Sequence, residues 1–117
     1  MPTNLFFYAW IEKGRSMVGE ALRLLRIFNG YKSAELAEKL GISQSYVSEI
    51  ENNKKQPTMD ILDKYASVFE MKKSTLLLFA EALENDVEVQ KDKKQKVALA
   101  GMKLLKILER VGKFEDE

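Results

Sequence analysis

Three residues, Gly41, Ile42 and Ser43, separate two short helical patterns, and this spacing constrains the fold more than any other feature of the sequence. The first pattern predicts a helix from about Ser33 to Leu40, ended by Gly41 because glycine readily adopts the left-handed conformation of a helix end. The second helix begins after Ser43, whose hydroxyl can cap the free N–H groups of its first turn. So short a connection containing glycine sets the two helices at a steep angle.

The apolar residues of this segment fit two helices that cross closely. Ala37 is expected at the point of closest approach, because only a small side chain fits there. Larger apolar side chains recur on both sides of the turn and are expected to fill the small core between the helices: Leu36, Leu40, Ile42, Val47 and Ile50. Together with the short turn, these positions predict a helix-turn-helix.

Helical periodicity elsewhere predicts three further helices around this pair. One begins near Val18 and stops at Gly30. After the helix-turn-helix comes a polar loop, and Thr58 is placed to cap a fourth helix. A fifth helix, from about 74 to 83, is apolar enough to complete one core. The sequence therefore predicts an all-α, five-helix domain over residues 17–83.

Three segments flank this domain. Residues 1–16 form an N-terminal arm whose large apolar side chains must cover some surface. Residues 84–96 are dense in charge and predict a linker or a solvated helix. Residues 97–117 predict an amphipathic helix with a heptad seam. That seam comprises Val97, Ala100, Leu104, Ile107, Val111 and Phe114, and Leu105 and Leu108 widen it.

The sequence leaves the partners of these flanks open. The C-terminal helix either packs back on its own domain or pairs with a second copy in a homodimer. The arm either packs across the domain, or joins the C-terminal helix in a dimer interface or in a binding face for another protein. Insertion into a membrane surface is disfavoured, because the arm is short and only Lys13 and Arg15 flank it.

Composition bounds the function classes. Hydrophobic residues make up 45% and charged residues 32% of the 117 residues, the balance of a globular protein. Cysteine and histidine are absent, so we expect no enzyme activity, no catalytic residue, no metal site and no cofactor. The apolar stretch from Leu5 to Ile11 is too short to span a membrane and lacks signal-peptide features, which predicts a cytoplasmic protein. Because the formal net charge is only +1, any case for nucleic-acid binding depends on local arrangement.

The segment SAELAEKLGISQSYVSEIENNKKQP resembles the helix-turn-helix of the phage repressor and Cro family, the xenobiotic-response-element type. Its Leu-Ala pair, Gly-Ile-Ser turn, Val-Ser-Glu-Ile-Glu-Asn run and following proline have the order and spacing of that family, and the likeness runs from roughly Val18 to Phe79. The resemblance implies a lambda-repressor-like fold and a transcriptional regulator, most often a repressor, that binds double-stranded DNA as a dimer. The recognition helix, about residues 44–52, would lie in the major groove, with half-sites about one helical turn apart.

Three residues of the recognition helix are candidates for reading bases. Gln44 opens the helix and can make a bidentate contact to adenine N6 and N7, and Ser45 can donate or accept a hydrogen bond. Glu49 lies one turn further on and can only accept, which suits the amino group of cytosine. The alternative for Glu49 is a solvated carboxylate that repels phosphate.

Contacts to the DNA backbone are expected from hydroxyls and amides at helix starts and from the loop after the recognition helix. Lys54 and Lys55 in that loop have no acid nearby after Glu51, although charges on a loop are usually only solvated surface. The expected backbone set is Ser33, Ser43, Tyr46, Ser48, Asn52, Asn53, Lys54 and Lys55.

Two positions depart from the family pattern. In this family the second helix usually starts with a glutamine that holds a phosphate and contacts the first recognition residue. Here that position is Ser33, whose shorter side chain puts the equivalent contact with Gln44 in question. The glycine common after the Glu-Asn pair is Asn53, which can adopt a left-handed conformation at modest cost. The resemblance also implies a buried ion pair of Arg26 and Glu51 that ties the first helix to the end of the third.

Two other functions fit the same residues. An antitoxin would use the domain to repress its own operon while the arm or tail neutralises a toxin. A protein-interaction adaptor would keep the fold without DNA affinity, which the near-neutral charge and Glu49 allow. A strong salt dependence of affinity would favour DNA binding, and a stable complex with the product of an adjacent gene would favour the antitoxin.

Overall fold

The structure is a computed structural model that describes residues 17–85 and 96–111. These residues form six helices. Their bounds are α1 (Val18–Phe28), α2 (Ser33–Leu40), α3 (Gln44–Glu51), α4 (Met59–Val68), α5 (Lys73–Asn85) and α6 (Lys96–Arg110). The predicted all-α class is confirmed, with five helices in the domain and one following it. No helix in the two described ranges is both long and apolar enough to cross a membrane.

Local side-chain chemistry determines where these helices begin and end. The hydroxyl of Ser43 accepts a hydrogen bond of 3.1 Å from the third amide of α3, and the hydroxyl of Thr58 accepts an equivalent bond of 3.1 Å in α4. Each bond satisfies an amide that has no partner within its helix. Gly30 and Gly41 follow α1 and α2 with φ of +75° and +74°, a conformation that favours glycine. All four of these local predictions are confirmed.

The core of the helix-turn-helix lies where α2 crosses α3. Ala37 of α2 is buried in the core cluster that the two helices share. Four larger predicted core residues are also buried, and they join one cluster with residues of α1, α4 and α5: Leu36, Leu40, Val47 and Ile50. Ile42 in the turn is half-buried. Apolar packing of its inner side therefore holds α3 in place on the domain.

The C-terminal helix α6 packs on α5 and α1 of its own domain. Ala100, Leu104 and Ile107, the central residues of the predicted heptad seam, are buried against that domain. Val97 and Val111, at the two ends of the seam, are instead exposed. The expected seam is therefore not available as a continuous dimer interface, because its middle already contacts the chain's own core.

Several predictions lie outside the described residues. These are the N-terminal arm (1–16), most of the charged linker (86–95), and the last residues (112–117), including Phe114 of the heptad seam. At the linker's edges, Glu84 and Asn85 belong to α5 and Lys96 begins α6.

Candidate nucleic-acid interface

The first two turns of α3 present a polar surface. Packing of Val47 and Ile50 into the core turns the opposite side of the helix outward, because residues three and four apart share a face. The outward side chains line one shallow polar concavity: Gln44, Ser45, Ser48 and Glu49. The structure thus brings together the three predicted base-reading residues, with Ser48 between them.

Gln44 is braced by Ser33 across the turn. Gln44 Nε2 donates a hydrogen bond of 3.0 Å to Ser33 Oγ. The sequence left this brace in question because serine is shorter than the family's glutamine, but the crossing of α2 and α3 places Ser33 close enough to reach. Since the bond uses one of the two amide hydrogens, Gln44 keeps its other amide hydrogen and Oε1 for further contacts. The bond therefore restricts the orientation of the Gln44 side chain at the start of α3.

The hydroxyl residues at the helix starts have distinct environments. Ser43 is exposed and caps α3, yet its own hydroxyl hydrogen stays available to donate. Ser33 is half-buried and likewise accepts a bond while keeping a hydrogen to donate. Tyr46 is half-buried, with its side chain packed against the core cluster. Both serine hydroxyls can therefore donate to an anion at the start of α2 or α3.

The loop after α3 winds back onto the end of the helix. The backbone amides of Lys54 and Lys55 both donate to the carbonyl of Glu49, at 2.8 and 3.2 Å. Asn53 allows this tight path because it adopts a left-handed φ of +59°, the conformation that asparagine can take at modest cost in place of the family's glycine. The backbone of the two exposed lysines is therefore held at a fixed place beside the end of α3.

The remaining polar side chains at this end of α3 interact with one another. Asn52 Nδ2 donates to the backbone carbonyl of Ser48 at 2.9 Å and approaches the Ser48 hydroxyl at 3.4 Å. Lys55 Nζ lies 4.0 Å from Glu49 Oε1, and both side chains are well exposed. Water screens so exposed a pair, so its mutual attraction is weak and either partner can exchange it for another contact.

An ion pair joins α1 to the last residue of α3, as the family resemblance implied. Arg26 contacts Glu51 with two nitrogens, Nε to Oε2 at 2.7 Å and Nη2 to Oε1 at 3.1 Å, and a third, Nη1, donates to the backbone carbonyl of Tyr31 at 2.9 Å. Glu51 is only 8% exposed. The hydrogen bond to Glu51 raises the pKa of Arg26. Arg26 thus links α1, the turn before α2 and the end of α3.

Two residues near this pair have roles that the sequence reasoning missed. A Cβ on Gly19 would clash with the carbonyl oxygen of Ile50 and with Asn53 Oδ1, so α1 and the end of α3 can approach this closely only because the position lacks a side chain. Glycine in the first turn of a helical pattern was the available signal. Tyr65 is fully buried, and its hydroxyl has no hydrogen-bond partner in the described structure. Burial raises the pKa of Tyr65, and the charge of Glu51 adds to the shift.

These features define a helix-turn-helix domain of the kind that presents one short helix to DNA. Residues 22–77 match the model of the family described as "Helix-turn-helix". The chain belongs to this family, of the xenobiotic-response-element type that the sequence resembled.

Three curated relatives illustrate the membership. The chain is 34% identical over 77 residues to the HTH-type transcriptional regulator SinR of Bacillus licheniformis, covering 65% of this chain and 69% of the relative. It is 39% identical over 62 residues to SinR of Bacillus subtilis (strain 168), covering 52% and 56%. It is 32% identical over 75 residues to the Competence pilus inhibition repressor of Acinetobacter baylyi, covering 64% and 68%. The comparison with solved structures found no match.

Proposed function

We propose that this protein is a sequence-specific, double-stranded DNA-binding transcriptional regulator that represses by occupying operator DNA as a homodimer. The observation that carries the proposal is the braced, outward-facing start of α3, where the Ser33 bond orients Gln44 beside Ser45, Ser48 and Glu49. The names of the relatives support a regulator, and one of them is a repressor by name. Repression follows if an occupied site blocks access of the transcription machinery.

The base contacts follow from the donors and acceptors on α3. Gln44 presents Oε1 and one Nε2 hydrogen, the pair that matches N6 and N7 of adenine in the major groove. Ser45 can donate or accept at the neighbouring base. Glu49 can only accept, as a cytosine amino group requires, and the exposed Lys55 beside it offsets part of its repulsion from phosphate.

The backbone contacts follow from the groups around this concavity. The hydroxyls of Ser33 and Ser43 can each donate to a phosphate oxygen, and Lys54 and Lys55 supply positive charge from a loop tied to the helix end. We assign further contacts to the DNA backbone to Tyr46, Ser48, Asn52 and Asn53. Such contacts fix the orientation of the domain on DNA without reading its sequence.

Selection of bound duplexes from a random DNA pool tests the proposal. We expect enrichment of an inverted repeat with half-sites about 10 bp apart, bound with an affinity that falls steeply as salt rises. No enrichment by folded protein would overturn the proposal.

Single variants then assign the contacts. Gln44→Ala and Ser33→Ala should each weaken the base preference at the same position of the bound DNA. In a protein that already carries Gln44→Ala, adding Ser33→Ala should not change the base preference at that position further. Glu49→Ala should cost about 1–3 kcal/mol at one base position. As a matched control, Lys54→Ala should weaken all sequences about equally and reduce the salt slope by about one. Equal or tighter binding of Glu49→Ala on every sequence would show that Glu49 only repels the backbone.

A further inference from the structure

An ion pair joins the start of α6 to the first turn of α1. The ammonium group of Lys96 contacts Glu20 Oε2, and the two side chains are only 24% and 16% exposed. The other carboxylate oxygen, Oε1, lies 3.8 Å from Arg23 Nη1, a buried nitrogen without a hydrogen-bond partner among the described residues. One carboxylate between α1 and α6 therefore faces two cations.

The contact of Lys96 with Glu20 differs from the exposed ion pairs of the chain. Water screens a pair such as Lys55 with Glu49, in which both side chains are well exposed. The Glu20 carboxylate is largely shielded from water, so the loss of Lys96 would leave much of its charge uncompensated. Because the two partners belong to different helices, the pair forms only when α6 is packed on α1.

The first turn of α1 meets the end of α3 without an intervening side chain of its own. Gly19, the neighbour of Glu20, lies directly against the backbone carbonyl of Ile50 and the side chain of Asn53. The amide of Asn53 donates to the same Ile50 carbonyl at 3.1 Å. Since position 19 has no side chain that could absorb a shift, a displacement of the α1 start is passed to the end of α3.

The loop that carries Lys54 and Lys55 continues directly from this junction. Asn53 sets the direction of the loop through its left-handed φ of +59°. The next two amides then bond to the carbonyl of Glu49 at 2.8 and 3.2 Å. A change in the contact between Gly19 and Asn53 therefore alters where the two lysines are presented.

We propose that Lys96 and Glu20 are positioning residues for the DNA interface, through which the packed C-terminal helix sets the place of Lys54 and Lys55. The inference rests on the proposed function, in which those two lysines contact phosphates. Lys96 and Glu20 act through α1 and do not themselves touch DNA. Both lie outside residues 22–77, the part of the chain that matches the family model, so the role does not follow from membership in the family.

Amide hydrogen exchange of the full chain tests the positioning without DNA. Lys96→Met and Glu20→Gln should each speed exchange of the Lys54 and Lys55 amides about three- to tenfold, because the loop is held less firmly. The amide of Leu62, which donates to the Thr58 carbonyl in α4, should exchange as in the wild type. Lys96→Arg keeps the cation and should retain wild-type rates. Equal acceleration at all three amides would indicate general destabilisation and would contradict a positioning role.

Affinity for the selected DNA duplexes tests the consequence. Lys106→Met is the matched control, because it removes the same charge from an exposed position of α6. Lys96→Met should weaken binding about three- to tenfold more than this control does. The excess should vanish in a chain that already carries Lys54→Ala and Lys55→Ala, since the contacts to be positioned are then absent.

Three results would each overturn the proposal: equal binding of Lys96→Met and Lys106→Met, an excess that survives without the two loop lysines, or unchanged exchange of their amides. If a DNA site is selected but the amides do not respond, only the positioning role fails. If the two loop amides alone respond but no DNA sequence is enriched, the proposed function fails and the link from α6 to the loop stands.

Discussion

Removal of the Arg26 guanidinium should destabilise this domain more than the loss of any exposed charge. In Arg26→Met the Glu51 carboxylate, only 8% exposed, loses both of its hydrogen bonds to Arg26, and the Tyr31 carbonyl loses a third. An unpaired charge at a buried position costs about 3–5 kcal/mol. Because 1 kcal/mol corresponds to roughly 4–8 °C in Tm for a domain of this size, even the lower figure predicts a fall of at least about 12 °C.

Two further variants make this prediction specific to the ion pair. Arg23→Met removes a guanidinium from the same helix, where Arg23 lies 3.8 Å from Glu20 and its side chain is 39% exposed. Because Glu20 also pairs with Lys96, its carboxylate stays compensated in this control, and the cost should stay below about 1 kcal/mol. The double variant Arg26→Met, Glu51→Leu should recover most of the lost stability, because it leaves neither charge buried.

Thermal unfolding followed by circular dichroism and urea unfolding of all four proteins provide the measurement. An Arg26→Met variant within 2 °C of the wild type, or a double variant as unstable as the single one, would refute the reasoning from buried charge.

Three other substitutions test separate features by urea unfolding. Tyr65→Phe should raise the free energy of unfolding by about 1 kcal/mol, since it removes a buried hydroxyl without a partner among the described residues. The stability difference between the variant and the wild type should grow above about pH 10, because Tyr65 ionises there in the unfolded wild type while its raised pKa keeps it neutral in the folded protein. A variant that is less stable than the wild type by about 1 kcal/mol at pH 7 would contradict the argument from the buried hydroxyl. Gly19→Ala should destabilise by more than about 1 kcal/mol despite the helix propensity of alanine, because its Cβ would clash with the Ile50 carbonyl; equal stability would show that α1 moves freely. Gly41→Ala has room but a φ of +74°, so strain should cost about 1–2 kcal/mol, and no loss would mean that the turn adopts another conformation.

Much of the fold could be predicted because it depends on neighbours in sequence. The caps at Ser43 and Thr58 and the left-handed φ of Gly41 involve residues only a few positions apart, and all three are confirmed. The contact of Arg26 with Glu51 spans 25 residues. Periodicity could not find it, and it was foreseen only through the family resemblance.

What could not be predicted depends on how helices face one another. The brace from Ser33 to Gln44 exists because the α2–α3 crossing angle brings a short side chain within 3.0 Å, a distance that the sequence alone does not give. Periodicity assigned Ala100 and Leu104 to one face of α6, but it did not show that the chain's own core covers that face. The glycine at position 19 was a signal in the helical pattern, but its reason, the close approach of α1 to the Ile50 carbonyl, is visible only in the folded domain.

The three bonds of Arg26 also have a thermodynamic consequence for binding. Arg26 already joins α1, the turn at Tyr31 and Glu51 of α3 in the free protein. If α3 binds DNA as proposed, it does not have to be ordered on binding. Proteins that fold as they bind show a large negative heat-capacity change from the surface buried in folding, and they lose affinity to the ordering entropy. Calorimetric titration of this domain with its DNA site should therefore show only the modest heat-capacity change expected when a preformed protein surface binds.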